Sequence, residues 1–379
     1  MLSGPMHLPT NRNNHDIMEN AVVKKKPRLE WLDAMRGFTM ILVVANHVSQ
    51  TGFMQAVKFS SSLSFLILFR MPLFFFISGF LAYKATQVWD VPNFCRLVGK
   101  KLRIQIVPTV VFFLLGMAVL YDSFPDAVIE KFHSPLKGGY WFTIALLYMF
   151  IIYYTFAFIE SKLKWRSWVP IVLLFLLSMC VYETCYLPQQ FWWAFGYRGA
   201  KPSTWLNDTC LIQVMLYMPF FLYGNIVHRY WDRAQRVMDS KWFYPVIVVL
   251  VILATMDSLK WHILRMQWAI IPLTLARFIL LTMVFMYFRH FQKYFTQMTW
   301  VGRTLQYIGR RTLDIYLIHY LFLPNLPGVG TFFQANQHNF AIDLTLAVLI
   351  ALLVIGFSCV TSNILRVSPL FKKYLFGRS

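Results

Sequence analysis

The sequence predicts an all-α membrane protein: a polytopic bundle of about ten transmembrane helices with both termini in the cytoplasm. Three observations predict it. Hydrophobic residues make up 58% of the 379, only 14% are charged, and the mean hydropathy is +0.52, a balance that suits lipid and not water. Apolar runs long enough to span a bilayer recur along the chain. Between them, basic residues gather in alternate connecting segments. That alternation explains the net charge of +20 as membrane orientation, and nucleic acid is not an expected partner.

Taken in order, residues 1–28 are polar and end in KKKPR, which reads as a disordered cytoplasmic tail. No apolar segment precedes it, so no cleavable signal peptide is expected. Residues 29–366 form the transmembrane domain. Its spans are expected at 31–52, 63–83, 104–121, 140–160, 167–187, 209–228, 242–258, 267–288, 307–323 and 341–365. Residues 367–379 form a short cytoplasmic tail. With the amino terminus inside, about 26 of the 36 basic residues fall on inner segments and about seven on outer ones. Arg36, Arg70 and Arg277 fall within spans. Trp31, Trp141, Trp205, Trp242 and Trp300 sit near span ends, as interfacial anchors do. The longest outer loops, 122–139 and 188–208, are too short for a second catalytic unit, and no internal repeat is visible. The five cysteines lack metal-ligand spacing; Cys185 and Cys210 both fall near the outer face, where a disulfide can form.

The first span, LDAMRGFTMILVVANH from Leu32 to His47, carries ionisable residues on one face. Arg36 and His47 are eleven apart, so they lie about 20° apart in azimuth and about 16 Å apart along the axis. Asp33 falls within about 40° of the same line. Such residues inside a membrane mark a functional site by default. A neutral His47 can take a proton from a hydroxyl and return it to a leaving group; the plainer reading is a hydrogen bond between packed helices. Arg36 is either a snorkelling anchor or a clamp for a phosphate or carboxylate. Asp33, at i−3, is placed to orient it.

The second span, FRMPLFFFISGF, puts Arg70 at about the depth of His47, where a guanidinium needs a cavity or a partner. Arg96, Lys100, Lys101 and Arg103 follow at the cytoplasmic mouth. Orientation alone accounts for them, and their density also suits a di- or triphosphate ligand. The eighth span carries Arg277. The ninth, YIGRRTLDIYLIHYLF, carries Asp314, Tyr316 and His319, with Tyr316 and His319 on one face. Asp314 is expected to offset Arg70 or Arg277. The two histidines, two arginines and a carboxylate are expected to converge within the bundle.

These residues resemble the acyltransferase family 3 membrane proteins. That family's first span carries an arginine, ten residues and a histidine, as LDAMRG followed by His47 does here. MPLFFFISGF (71–80), the basic run at 96–103, YWFTIALL (140–147), FFLYG (220–224) and TLDIYLIH (312–319) resemble later family motifs in the same order. The ninth-span motif commonly has serine, and often glycine, where this chain has Thr312 and Asp314. The resemblance covers about residues 28–366. It implies transfer of an acyl group, usually acetyl, from acyl-coenzyme A to a hydroxyl of a cell-surface or lipid-linked carbohydrate, in the cell's cytoplasmic (inner) membrane. By that resemblance His47 is the catalytic residue and Arg36 belongs to the donor site.

The geometry is compatible with this. A donor with its phosphates at the cytoplasmic face must present its thioester roughly 15–20 Å deeper, which is the rise from Arg36 to His47. The candidate catalytic set is His47 with Asp33, Tyr316 and His319. Arg36, Arg70, Lys100, Lys101 and Arg103 are candidate donor-binding residues. Arg70, Arg277, Tyr316 and His319 are also candidates for holding an oxyanion or orienting the sugar. No metal is implied. The expected partners are the lipid bilayer, a carbohydrate or glycolipid acceptor and the coenzyme A thioester. The competing reading is a transporter or flippase for a polar lipid-linked sugar, which also uses charged residues at mid-depth. A non-catalytic scaffold leaves those residues unexplained.

Overall fold

A computed structural model describes residues 29–55, 61–163, 168–184, 204–258, 273–335 and 340–376. The amino-terminal tail, Cys185 with its pairing to Cys210, most of the 188–208 loop, and Lys58, Arg198, Lys201, Lys260 and Arg265 lie outside these residues. Among the described residues every regular element is a helix.

Helix α1 runs Glu30–His47, with Glu30 and Asp33 in its first turn, where carboxylates complement the amino-terminal dipole. It passes directly into a π-helical turn, Val48–Gly52. The predicted first span 31–52 is thus an α-helix with a widened last turn, and His47 is the residue at the change. Helix α2, Ser61–Ala82, contains Pro72. Helix α3, Val91–Lys101, starts where the Asp90 side chain accepts from the Asn93 N–H at 2.7 Å, with a proline in its first turn. A second π-helical turn, Leu102–Ile106, joins it to α4, Val107–Leu120. Helix α5, Phe124–His133, and a 3₁₀ turn, Lys137–Gly139, lead into α6, Trp141–Lys162.

The chain continues through α7, Val169–Thr184, the short α8, Thr204–Asp208, and α9, Leu211–Arg229. Helix α10, Trp231–Met238, is followed by α11, Phe243–Ser258, with a bend of 79° between them. Then come α12, Leu273–His290, and α13, Trp300–Arg310, whose Thr299 hydroxyl caps the Gly302 N–H. Helix α14, Thr312–Ile318, tightens into a 3₁₀ turn, His319–Phe322. Helices α15, Pro327–Ala335, α16, Phe340–Leu365, and α17, Pro369–Tyr374, complete the chain.

Five helices among the described residues are long and apolar enough to cross a membrane: Phe65–Ala82, Val91–Leu120, Trp141–Lys162, Leu211–Arg229 and Ala341–Leu365. The bent pair α10–α11 makes six if it counts as one span. Helix α1 is of spanning length but carries Glu30, Asp33 and Arg36, and α14 is short, so composition alone does not mark either as a span. The protein is therefore a multi-pass helical membrane protein.

Two helix pairs position the site, and glycines make both possible. Helix α1 lies on α13, and a Cβ on Gly37 would stand 2.0 Å from the Leu305 carbonyl oxygen. Across the same interface, a Cβ on Gly309 would stand 1.9 Å from the Asp33 carbonyl oxygen. Helix α2 lies on α9 in the same way: Gly79 faces the Phe221 backbone and Gly224 the Phe76 backbone. In lipid, close backbone approach of this kind supplies much of the packing between helices. Gly37→Val is expected to force α1 and α13 apart, at a cost of about 3 kcal/mol, the upper end of ordinary overpacking. A thermal unfolding profile of the purified protein, read against Gly99→Val, tests this. Among the described residues, nothing beyond its own stretch of helix lies within 4 Å of the Gly99 Cβ position.

A buried ion pair ties α14 to α16. Asp314, 1% exposed, accepts from Arg366 Nη2 at 2.5 Å and from the Ser362 hydroxyl at 2.9 Å. The expected pairing of Asp314 with Arg70 or Arg277 is thus replaced by one with Arg366. Asp314 sits in the first turn of α14, where the residue just past the end of α16 supplies the guanidinium. Arg277 is also elsewhere, donating to the Tyr182 hydroxyl between α12 and α7 at 2.9 Å.

Candidate functional site

Arg36 and His47, on α1, meet the two ends of one neighbour, α14 with its 3₁₀ extension. Arg36 Nη2 donates to the Thr312 hydroxyl at 2.9 Å. Asp33, 6% exposed, stands 3.7 Å from Arg36 Nη1 and 3.7 Å from Arg310 Nε. The carboxylate thus lies between two guanidiniums and orients both. Thr312 stands at the position where serine is expected, and either residue supplies the hydroxyl that Arg36 uses.

Arg36 lines a cavity of ≈ 380 Å³ together with Lys84, Lys100 and Lys101. All four cations belong to one end of the bundle, where α1 begins and α2 and α3 end. Lys101 Nζ also stands over the Phe150 ring, 3.4 Å from its centroid. Along its length the cavity follows α6 from Tyr154 to Phe142, about 18 Å of helix. Its wall there is largely apolar, with Phe74, Leu146 and Phe150. Among its polar residues is the buried Gln105, whose Oε1 has no hydrogen-bond partner among the described residues. Arg103 sits exposed on the second π-helical turn and does not line the cavity.

At the inner end the cavity meets Phe142 and Tyr316. The Tyr316 hydroxyl donates to the Gly139 carbonyl at 2.5 Å and accepts the Phe142 N–H at 3.1 Å. It fastens a strap, residues 137–142, over the bundle. Lys137, Gly138 and Gly139 in that strap all have positive φ, of 48°, 58° and 100°. A side chain at Gly139 would collide with Tyr320, whose ring lies 2.1 Å from the Cβ position. Tyr316→Phe leaves the buried Phe142 N–H without an acceptor and is expected to cost about 1–3 kcal/mol of stability. A lowered melting temperature for Tyr316→Phe in the purified protein checks this.

Beyond Tyr316 lies His47. Its Nδ1 is 2.8 Å from His319 Nε2, and the two rings are stacked with 5.1 Å between centroids. His319 is 0% exposed, and its Nδ1 faces the carbonyls of Ile315 at 3.0 Å and Tyr316 at 2.9 Å. His47 is partly exposed, with the Tyr320 hydroxyl 3.5 Å from its Nε2. Arg70 lies near His47 and Tyr320, and its buried Nε has no hydrogen-bond partner among the described residues. The structure therefore groups His47, His319, Tyr320 and Arg70 on one side of the strap, and Arg36, Lys84, Lys100 and Lys101 at the basic end of the cavity. Tyr316 stands between the groups.

Sequence reasoning missed Tyr320, Lys84 and Gln105. Tyr320 follows His319 directly, but nothing in its spacing distinguishes it from the surrounding apolar residues. Lys84 reads as one more inner basic residue. Gln105 carries no signal until a cavity runs past it.

The cavity has a cationic mouth and a largely apolar wall, and it stops short of a partly exposed histidine. The comparison with known proteins decides the family. The family profile described as "Acyltransferase domain", that of acyltransferase family 3, matches residues 29–363. The chain belongs to acyltransferase family 3. All the residues just described lie within the matched region, in the helical membrane domain. The chain is also 30% identical over 141 residues to the nodulation protein NolL of Sinorhizobium fredii (strain NBRC 101917 / NGR234). That match covers 35% of this chain and 38% of NolL, so the chain spans well under half of that relative. No solved structure matches the chain. Among the described residues no group of three or more histidines, cysteines or carboxylates is arranged to hold a metal ion.

Proposed function

We propose that the protein is an O-acyltransferase of the cytoplasmic membrane, moving an acyl group, acetyl by the family's habit, from acyl-coenzyme A to a hydroxyl of a cell-surface or lipid-linked carbohydrate. In this reading the domain spans the membrane ten times between cytoplasmic termini, as the distribution of basic residues suggests. The observation that carries the reading is the cavity, which runs from a mouth of four cations along α6 and ends at Tyr316, one helical turn before His319, the residue that His47 contacts.

The residues fit such a donor. Arg36, Lys84, Lys100 and Lys101 suit its phosphates, and the guanidinium of Arg36 is held for that task by Thr312 and Asp33. Gln105 Oε1 is a buried acceptor on the wall, suited to an amide N–H of the donor's arm. Acyl-coenzyme A, when bound, would supply the thioester. Tyr316 and Phe142 must move aside for an acyl group to meet His47. His47 then takes the proton of the acceptor hydroxyl as the new C–O bond forms, and returns it to the sulfur as the C–S bond breaks. Arg70 and Tyr320 are placed to steady the negative charge that develops on the carbonyl oxygen. A carbohydrate acceptor is supported by the family resemblance, and its entry from the outer side by the position of His47 beyond the strap.

Isothermal titration of the purified protein with coenzyme A tests this reading. Saturable binding that weakens with added salt is expected, because four cations meet the phosphates. A flippase or transporter of lipid-linked sugar has no reason to bind coenzyme A, and an absence of heat would favour that class.

A further inference from the structure

The hydrogen bonds around His319 determine which nitrogen of His47 does the chemistry. A backbone carbonyl only accepts. His319 Nδ1 faces two of them, Ile315 at 3.0 Å and Tyr316 at 2.9 Å, so it carries the proton. Both carbonyls are near the end of α14; the Ile315 carbonyl also accepts the His319 backbone N–H, and its second lone pair serves the ring. A neutral imidazole has one N–H, so His319 Nε2 presents its lone pair. That lone pair lies 2.8 Å from His47 Nδ1, which must therefore be the donor. The open lone pair of His47 is then on Nε2, the nitrogen that faces the Tyr320 hydroxyl.

We infer that His319 is a positioning residue that holds His47 in its Nδ1–H form, leaving Nε2 as the nitrogen that removes the acceptor's proton. The inference rests on the reading of His47 as the base and adds the atom and its partner. His319 is 0% exposed and both its nitrogens are occupied, so it acts through His47 and not on substrate. When His47 Nε2 gains the proton, its Nδ1–H stays bonded to the His319 lone pair, so the cation keeps an acceptor on its buried side. A carboxylate is the familiar partner for a catalytic histidine. A neutral imidazole does the same orienting work without burying a charge at rest, which in this dry setting is the lower cost.

Two substitutions of nearly equal shape separate this role from packing. In His319→Gln the amide NH₂ can donate to the Ile315 and Tyr316 carbonyls while Oε1 accepts from His47 Nδ1. In His319→Met neither bond is available. With acyl-coenzyme A as donor and saturating acceptor, His319→Gln is expected to keep kcat within about tenfold of wild type, while His319→Met loses about 100-fold or more with KM little changed. Equal losses in both variants, at matched folding by size-exclusion profile, would overturn the inference and leave His319 as packing. A His319→Met enzyme with full activity also overturns it. If His47→Ala in the same assay is still inactive, the reading of His47 as base survives that outcome; if His47→Ala is active, the reading itself fails.

Discussion

Replacing His47 by alanine is expected to lower the turnover of acyl transfer by about 10²–10⁴-fold, the usual contribution of a positioned general base. Coenzyme A binding should hardly change, because His47 is not among the residues lining the donor cavity. The split is what gives the test its value. A loss of kcat with binding intact places His47 at the reacting atoms; a parallel loss of both places it at the donor or in the fold. His47→Ala removes a partly exposed ring from the end of α1, and the imidazole of His319 keeps its bonds to Ile315 and Tyr316. The helix pair α1–α13 is untouched, so a folded protein is expected. Turnover within about threefold of wild type would remove His47 from the mechanism.

The second large effect is expected at the other end of the cavity. Arg36→Ala should weaken coenzyme A binding by about 10–100-fold, since a hydrogen bond to a charged group contributes about 1.5–3 kcal/mol. Arg36→Lys keeps the charge but loses the planar fork, and with it the bond to Thr312, so it should restore only part of the affinity. Thr312→Val removes the hydroxyl that holds the guanidinium and is expected to cost a few-fold. The salt dependence provides a second readout: affinity should fall less steeply with ionic strength in Arg36→Ala than in wild type, because one fewer cation is screened. Titration calorimetry at two salt concentrations measures both. An unchanged affinity in Arg36→Ala would make Arg36 an interfacial anchor, the plainer of its two readings.

Much of this site is legible in the sequence, for identifiable reasons. The eleven-residue interval from Arg36 to His47 encodes a shared face and a fixed rise, because a helix in lipid has little freedom to do otherwise. Tyr316 and His319 are three apart and therefore neighbours whatever surrounds them. What sequence does not encode is which helix end meets which. Asp314 pairs with Arg366, 52 positions on, through the packing of α14 on α16, and Arg277 turns to Tyr182. The contact of His47 with His319 joins residues 272 apart and depends on backbones that only glycines allow to approach. The π-helical turn after His47 was equally invisible, since an apolar run of spanning length reads as one continuous helix. The basic run at 96–103 divides in the structure: Lys100 and Lys101 reach the cavity, and Arg103, on the second π-helical turn, does not.

In the proposed reaction an acyl group passes from acyl-coenzyme A to a carbohydrate hydroxyl at His47. The most direct measurement is transfer of label from radiolabelled acetyl-coenzyme A in membranes that overproduce this chain, wild type beside His47→Ala at matched protein levels. Label in the glycan or glycolipid fraction with wild type alone is the predicted result. Equal labelling by both proteins, or label confined to neither fraction despite intact coenzyme A binding and an acceptor-rich membrane, would contradict it.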